Sequence, residues 1–309
     1  MARTTFLSDG WQFAQREWTR PGNMVGYAYT EWLPADVPGA VHLDLQRAGI
    51  IPDPHQRMNE IGVQWVDEKD WSYRTAFQWH ADPELPRRVL RFDSLDTVAT
   101  IYLNDEEIGG ANNMFLPHEF DVTERLVEGE NTLRIEFQSA QVAGNARRKE
   151  YFEANGITDP VSRMDERAFL RKMQCAFGWD WGPRLASCGV SGPVSLIEYV
   201  GRIASFSTIS TYHDDGSITI ELDARHDGPG ELVPTIWPTD GGPMEGEDET
   251  TEWENGRITL RHLRRWQPTN LLDGEDHPLR YEMSLALVDG DEILDESTKT
   301  VGFSQNRLV

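Results

Sequence analysis

Apolar residues at every second position are the dominant pattern in this chain of 309 residues. Residues 73–79 alternate between apolar or threonine side chains and polar or small ones, and 97–103 and 133–137 repeat the pattern. Turn-forming residues lie between these segments, at 104–107 and 128–131. A period of two is typical of half-buried antiparallel strands. Several short strands separated by turns predict an all-β sandwich.

The alternation of apolar and polar residues is interrupted in the middle of the chain. Residues 145–155 are rich in helix formers and predict a short surface helix. Residues 161–193 contain many Trp, Gly and Pro but few strand signals, which predicts a long ordered loop. Long ordered loops inside compact domains are often functional.

Alternation resumes at 194–197 and continues beyond it, in 218–222 and in 281–287. A length of 309 residues suggests two domains, at roughly 100–200 residues each. We place the boundary at 199–201, so that the domains are 1–200 and 201–309. The second has the size of an immunoglobulin-like sandwich, although it lacks the Cys…Trp…Cys pattern of antibody domains.

An excess of acidic residues bounds the possible partners. The chain has 52 acidic and 29 basic residues, a net charge of -23, and only four of the basic residues are lysines. This balance repels nucleic acid and anionic membranes. Strong acidity with few lysines favours adaptation to high salt over an ordinary acidic protein, because a Debye length of about 3 Å at 1 M screens self-repulsion. Residues 240–249 are predicted to be a solvated acidic loop.

Targeting signals and cofactor motifs are not found in the sequence. The first ten residues lack the apolar run of a signal peptide, and no stretch approaches 18 apolar residues, so we expect a cytoplasmic protein without a membrane span. Cys175 and Cys188 are expected to be reduced thiols. The eight histidines do not stand at metal-ligand spacing, and no glycine-rich nucleotide loop or serine-hydrolase elbow is present. We therefore expect no metal and no cofactor.

One segment suggests a binding site. Residues 177–184 read Phe-Gly-Trp-Asp-Trp-Gly-Pro-Arg, with Asp180 between Trp179 and Trp181. Tryptophan faces stack on pyranose rings, and a carboxylate accepts hydrogen bonds from sugar hydroxyls. The alternative is that both tryptophans are core residues and that Asp180 caps a turn. The residues alone leave the two interpretations open.

This segment resembles the Phe-Gly-Trp-Asp-Trp-Gly-Pro signature of β-mannosidases in glycoside hydrolase family 2. The similarity is dense over residues 1–200 and weaker over 201–309, where Gly302-Phe303-Ser304 stands in place of the family's Gly-Phe-Arg. Other segments that resemble the family, in the same order, are Pro38-Gly39-Ala40-Val41-His42-Leu43-Asp44-Leu45, residues 49–54, Asp70-Trp71-Ser72-Tyr73-Arg74 as its first core strand, residues 92–97, Tyr102-Leu103-Asn104, Arg171-Lys172-Met173-Gln174, residues 267–268, residues 278–279 and Tyr281.

The resemblance implies a sugar-binding, galactose-binding-like jelly roll at 1–200 and an immunoglobulin-like β-sandwich at 201–309. In the family these precede a (β/α)₈ barrel that carries the catalytic glutamates. A barrel needs about 250 residues, and retaining hydrolysis needs two carboxylates about 5–5.5 Å apart. We expect neither in these 309 residues, so the chain is predicted to depend on a separate or missing barrel polypeptide and to be inactive alone.

By the same resemblance, Asp180 binds a hydroxyl of a terminal β-D-mannosyl residue, and Trp179 and Trp181 wall the pocket or hold the loop. No catalytic residue is assigned. Two other functions stay open: a free-standing carbohydrate-binding module, and part of another family 2 exo-glycosidase such as a galactosidase, glucuronidase or glucosaminidase. The Trp-Asp-Trp run argues against the last.

Overall fold

The computed structural model describes residues 2–19, 26–158, 165–239, 253–261, 266 and 280–304. Contacts divide the chain into two compact units. The first, here called the N-terminal unit, comprises Thr4–Pro83 and Arg88–Glu198. The C-terminal unit comprises Tyr199–Val309 with the short segments Met1–Arg3 and Glu84–Arg87. The assignment of 1–200 as a sugar-binding domain and 201–309 as an immunoglobulin-like domain stays a prediction.

The all-β prediction is confirmed. The N-terminal unit contains a four-stranded sheet and a seven-stranded sheet, and a separate two-stranded hairpin. The strands up to residue 199 are β1 (Arg3–Phe6), β2 (Gln12–Thr19), β3 (Gly26–Tyr29), β4 (Leu33–Pro34), β5 (Asp70–Trp79), β6 (Arg87–Phe92), β7 (Ala99–Leu103), β8 (Glu106–Ala111), β9 (His118–Asp121), β10 (Gly129–Phe137), β11 (Phe177–Trp179), β12 (Gly182–Arg184) and β13 (Val194–Tyr199).

The smaller sheet has the order β1-β13-β6-β9 and the larger one β3-β2-β5-β10-β7-β8, with β4 paired to β2. Side chains from both sheets meet in one core, for example Phe92 of β6 and Tyr73 of β5, both with no exposed surface. On β5, Tyr73, Thr75 and Trp79 are buried whereas Arg74 is exposed, as the alternation predicts. The structure differs from the sequence-based expectation in placing four strands, β1 to β4, before β5, which is central to the sheet rather than first in the chain.

Three α-helices are found in the part of the chain that the structure describes: α1 (Val41–Arg47), α2 (Asn59–Gly62) and α3 (Ala140–Ala154). The predicted surface helix at 145–155 corresponds to α3, but α3 begins five residues earlier. Ser139 caps it, because its Oγ accepts a hydrogen bond of 3.1 Å from the amide of Val142. Gly144 lies inside this helix at a close approach to the following segment, because a Cβ there would lie only 2.6 Å from the carbonyl oxygen of Glu166.

The described part of the predicted long loop, residues 165–193, has more regular structure than expected. It contains 3-10 turns at Glu166–Phe169 and Gln174–Ala176, followed by the β11–β12 hairpin. These strands could not be predicted from periodicity, because strands of three residues are too short to show a period of two.

The C-terminal unit contains two three-stranded sheets, β14-β15-β17 and β16-β18-β19, which enclose a second core that includes Ile220 and Met283. The predicted strands at 218–222 and 281–287 lie in β15 and β18. Residues 161–164 of the predicted loop and residues 240–249, 267–268 and 278–279 lie outside the described part of the chain. The strands of this unit are β14 (Arg202–Tyr212), β15 (Ile218–Asp227), β16 (Glu231–Pro238), β17 (Arg257–Leu260), β18 (Tyr281–Asp289) and β19 (Glu292–Val301).

Candidate functional site

The Trp-Asp-Trp segment forms a tight β-hairpin. Phe177 pairs with Arg184 and Trp179 pairs with Gly182, so that Asp180 is one of two residues in the turn. Gly178 has a φ of 95°, a backbone conformation that residues other than glycine rarely adopt. A Cβ at Gly178 would also lie 3.3 Å from the Cβ of Arg184 across the hairpin. The glycine therefore allows the two short strands to approach each other.

The tip of the hairpin is exposed. Trp179 is 53% exposed and Trp181 is 73% exposed, and Asp180 is also at the surface. Among the residues with described positions, the Asp180 carboxylate has no hydrogen-bond partner, so it does not cap the turn. The alternative interpretation of core tryptophans with a capping aspartate is therefore wrong. Exposed indole rings next to a carboxylate without a partner are available to a ligand.

The base of the hairpin is fixed by Arg184. Its guanidinium lies 2.7 Å from the Asp67 carboxylate, whose side chain is only 2% exposed, and 3.7 Å from that of Glu166. The side-chain amide of Gln64 donates a hydrogen bond of 2.8 Å to the carbonyl oxygen of Arg184. On the opposite strand, Phe177 packs against the small apolar cluster that α3 contributes to. Both strands are thus attached to the body of the N-terminal unit.

Burial raises the pKa of the Asp67 carboxyl, and the positive charge of Arg184 opposes that shift. A buried carboxylate needs such a partner, since an unpaired one would carry a large desolvation cost. The ion pair therefore stabilises both Asp67 and the hairpin, and it connects residues that are more than 100 positions apart in the sequence.

A second anchor joins the two ends of segment 172–187. The Lys172 ammonium is buried, forms an ion pair with Asp96, and donates a hydrogen bond of 2.7 Å to the carbonyl oxygen of Ser187. The Ser187 hydroxyl lies 2.9 Å from Nδ1 of His42. Burial lowers the pKa of His42 to about 4, and the nearby charge of Lys172 adds to that effect. The imidazole is therefore neutral at pH 7.

These anchors were missed by the assignment of site residues from sequence. Lys172 and Asp96 appeared only within segments that resemble a known family, and Gln64 and Asp67 gave no signal. Their partners are distant in sequence, so only the fold brings them together. A lysine in an otherwise lysine-poor chain, between the predicted helix and the Trp-Asp-Trp segment, is the one feature that offered a hint.

The chemistry that the hairpin offers is binding rather than bond cleavage. Asp180 is the only acidic residue in segment 177–184, whereas retaining glycoside hydrolysis uses two carboxylates about 5–5.5 Å apart. Across the described ranges, His, Cys, Asp and Glu side chains form no group of three or more that could hold a metal ion. Within the same ranges, no helix has the length and apolar character needed to cross a bilayer.

Comparison with known proteins relates this chain to glycoside hydrolases. Residues 11–192 match the family described as glycosyl hydrolase 2 galactose-binding domain-like. The β-mannosidase B of Thermothelomyces thermophilus is 33% identical over 313 residues, which cover 98% of this chain and 34% of that protein. The β-mannosidase B of Aspergillus fumigatus is 33% identical over 321 residues, covering 98% and 35%. The chain thus spans about a third of the length of these curated relatives.

Solved structures agree with these relatives. The β-D-mannosidase from Dictyoglomus thermophilum has a TM-score of 0.71 and 30% identity, covering 97% of this chain and 36% of that one. A β-glucuronidase from Ruminococcus gnavus has a TM-score of 0.58 at 16% identity, covering 100% of this chain and 45% of that one, which shows a shared fold alone.

Proposed function

Because the chain belongs to the glycosyl hydrolase 2 galactose-binding domain-like family and corresponds to the N-terminal part of β-mannosidase-like proteins, we propose that it supplies the sugar-recognising hairpin of an enzyme acting on terminal β-D-mannosyl residues. In this proposal Asp180 accepts a hydrogen bond from a sugar hydroxyl. Trp179 and Trp181 form apolar walls beside it.

The observation that carries the proposal is the contrast between the base and the tip of the hairpin. The base is fixed by the buried Asp67–Arg184 and Asp96–Lys172 ion pairs, whereas the tip exposes two indole rings and a carboxylate. Exposing a tryptophan forgoes the burial that would stabilise the fold, by about 25 cal/mol for each Å² of apolar surface. An anchored hairpin with such a tip is suited to contact a ligand or a second domain.

Hydrolysis itself is proposed to reside in a (β/α)₈ barrel that is either a separate polypeptide or a missing continuation. The matched relatives are about three times as long as the alignment, which leaves ample length for a barrel of about 250 residues. The hairpin would extend one carboxylate and two indoles toward the sugar that the barrel holds.

A chimera tests the proposal. The N-terminal third of the Thermothelomyces thermophilus β-mannosidase B is replaced by this chain, and kcat/KM is measured on an aryl β-mannoside. A hydrogen bond to a charged group contributes about 1.5–3 kcal/mol, and each 1.36 kcal/mol is tenfold in rate. We therefore expect Asp180→Asn to lower kcat/KM at least tenfold, with an unchanged melting temperature.

The matched control is Asp291→Asn. Asp291 is an exposed aspartate in the turn between β18 and β19, so its replacement removes the same charge from another hairpin turn. It should leave kcat/KM within twofold. An active chimera in which Asp180→Asn and Asp291→Asn behave alike would refute the role of Asp180.

A free-standing carbohydrate-binding module is the second candidate, and the exposure of Trp179 and Trp181 favours it, because exposed indole faces stack on sugars without a second protein. The isolated chain would then bind manno-oligosaccharides with quenching or a shift of tryptophan fluorescence, and Trp181→Ala would weaken binding. An absence of binding by the isolated chain, together with an active chimera, would reject this candidate and leave the first intact.

We further propose that the chain acts in the cytoplasm. Both Cys175 and Cys188 are free thiols, and Cys188 is buried. A reducing compartment preserves such thiols. Fractionation of the source cells, with immunodetection of this chain, tests the location.

A further inference from the structure

A groove of about 620 Å³ lies on the face of the larger sheet that points away from the core of the N-terminal unit. Its volume falls within the range of about 300–1,000 Å³ that is typical of small-molecule sites. None of its lining residues belongs to the Trp-Asp-Trp hairpin or to the anchors of that hairpin. The lining residues that matter here are Tyr29, Trp32, Arg74, Asp105, Thr132 and Arg134.

The groove is built on paired strands. Gln12 of β2 pairs with Arg74 of β5, Arg74 pairs with Arg134 of β10, and Arg134 pairs with Tyr102 of β7. These four residues therefore form a row across the sheet, on the face opposite the buried residues. Because neighbouring strands hold their backbones, the polar groups of the row have fixed positions, which favours specific binding.

The row places two positive charges side by side. Residues directly opposite on antiparallel strands have Cβ atoms about 4.5–5.5 Å apart, and like charges in such positions are destabilising. The charge of Arg134 is compensated by ion pairs with Glu136 and with Asp105, the latter at 3.5 Å. The second positive charge, on Arg74, is not compensated in the same way.

Arg74 has other partners. Its Nε donates a hydrogen bond of 3.0 Å to Oε1 of Gln12, and its guanidinium lies 4.1 Å from the ring centroid of Trp32. In the part of the chain that the structure describes, no carboxylate lies within 4 Å of it. A chain with 52 acidic residues thus leaves this guanidinium in a groove without an acidic partner. A guanidinium presents a planar fork that matches a carboxylate.

We propose that this groove is a second saccharide site, and that it binds a sugar residue carrying a carboxylate. The carboxylate lies against Arg74, the one of the two cross-strand arginines whose charge no carboxylate compensates in the described part of the chain. The ring lies beside Trp32 and Tyr29, and its hydroxyls bond to Thr132 and Asp105. The net charge of -23 opposes long polyanions, so the ligand is a short acidic saccharide rather than a charged polymer. The site is independent of the function proposed for the hairpin.

Isothermal titration of the full chain tests the site, with trigalacturonate as the acidic probe and mannotriose as the neutral probe of equal length. Both titrations use the same ionic strength, at which circular dichroism shows a folded chain. We expect trigalacturonate to bind at least tenfold more tightly. Arg74→Gln should weaken its binding at least tenfold.

The matched control is Arg225→Gln, because Arg225 is an exposed arginine of β15 whose removal changes the net charge equally. It should change the affinity less than twofold. A second variant, Gln12→Glu, keeps Arg74 but places a carboxylate beside it, and it should weaken binding of trigalacturonate as well. Asp180→Asn should have no effect, which separates this site from the hairpin.

Three results would each overturn the proposal: equal affinity for the two probes, equal losses in Arg74→Gln and Arg225→Gln, or no binding of trigalacturonate at millimolar concentration. If Arg74→Gln lowered the melting temperature, the outcome for Gln12→Glu would decide, since that variant leaves the stacked guanidinium in place.

Discussion

Replacement of Lys172 by methionine should destabilise the N-terminal unit strongly. The Lys172 side chain is 1% exposed and that of Asp96 is 12% exposed, so the pair is almost completely removed from water. Deletion of one partner of a buried pair costs about 3–5 kcal/mol, because the remaining charge is left uncompensated. Thr97 still donates a hydrogen bond to Asp96, which places the expected loss near the lower limit, at about 3 kcal/mol.

Hydrogen exchange measures this loss within one unit. Amides of β5 and β10, which pair at the centre of the larger sheet, should exchange faster in Lys172→Met by a factor that corresponds to about 3 kcal/mol. Amides of β18 in the C-terminal unit are the internal reference and should be unchanged. Bulk denaturation would mix the two units and is less informative.

The double variant Asp96→Asn/Lys172→Met separates the charge effect from loss of packing. It removes both charges, so it should recover much of the stability lost in Lys172→Met. A loss below about 1 kcal/mol in Lys172→Met, or a double variant no more stable than the single one, would refute the argument that a buried charge pair anchors this segment.

Three further predictions concern titration, salt and catalysis. The pKa of His42 is about 4 in the folded chain and about 6.5 when unfolded, so the unfolded chain binds more protons between these pH values. The free energy of unfolding should therefore fall by about 3 kcal/mol as the pH decreases from about 6.5 to 4. Urea titrations should show a smaller loss in His42→Gln. The net charge of -23 predicts melting temperatures that rise strongly between low and molar KCl, and a flat series would remove the argument for salt adaptation. The 309-residue chain alone should release no nitrophenol from an aryl β-mannoside, and turnover abolished by a mutation in this chain would contradict that.

Much of the strand content could be predicted because it follows from one physical rule. Where one face of a strand is buried, side chains must alternate, as at Tyr73 and Arg74 on β5 or at Met283 and Glu282 on β18. The resemblance to β-mannosidases of glycoside hydrolase family 2 is likewise confirmed by the comparisons. Strands β1 to β4 and the true start of α3 were not predicted, since their signals are capping and pairing rather than periodicity.

The candidate site was only half predictable for a related reason. The sequence indicates which residues of the hairpin have unusual chemistry, but it left open whether Trp179 and Trp181 are buried or exposed. That choice depends on whether the hairpin packs against the sandwich or projects from it. The position of the hairpin is set by residues such as Asp67 and Asp96, which form ion pairs at its base and are far from it in sequence.

The distribution of charge partners in the N-terminal unit has a functional implication. Buried charges at the base of the hairpin are paired, as Asp67 with Arg184 and Asp96 with Lys172. Asp180 and Arg74, by contrast, are exposed and have no partner of opposite charge in the described part of the chain. A buried charge must be paired to be tolerated, whereas an exposed charge beside an aromatic ring costs little and is available for a ligand. Asp180 beside Trp179 and Trp181, and Arg74 beside Trp32, meet that condition, and the two proposed sites differ in the sign of the charge that each would offer to a sugar.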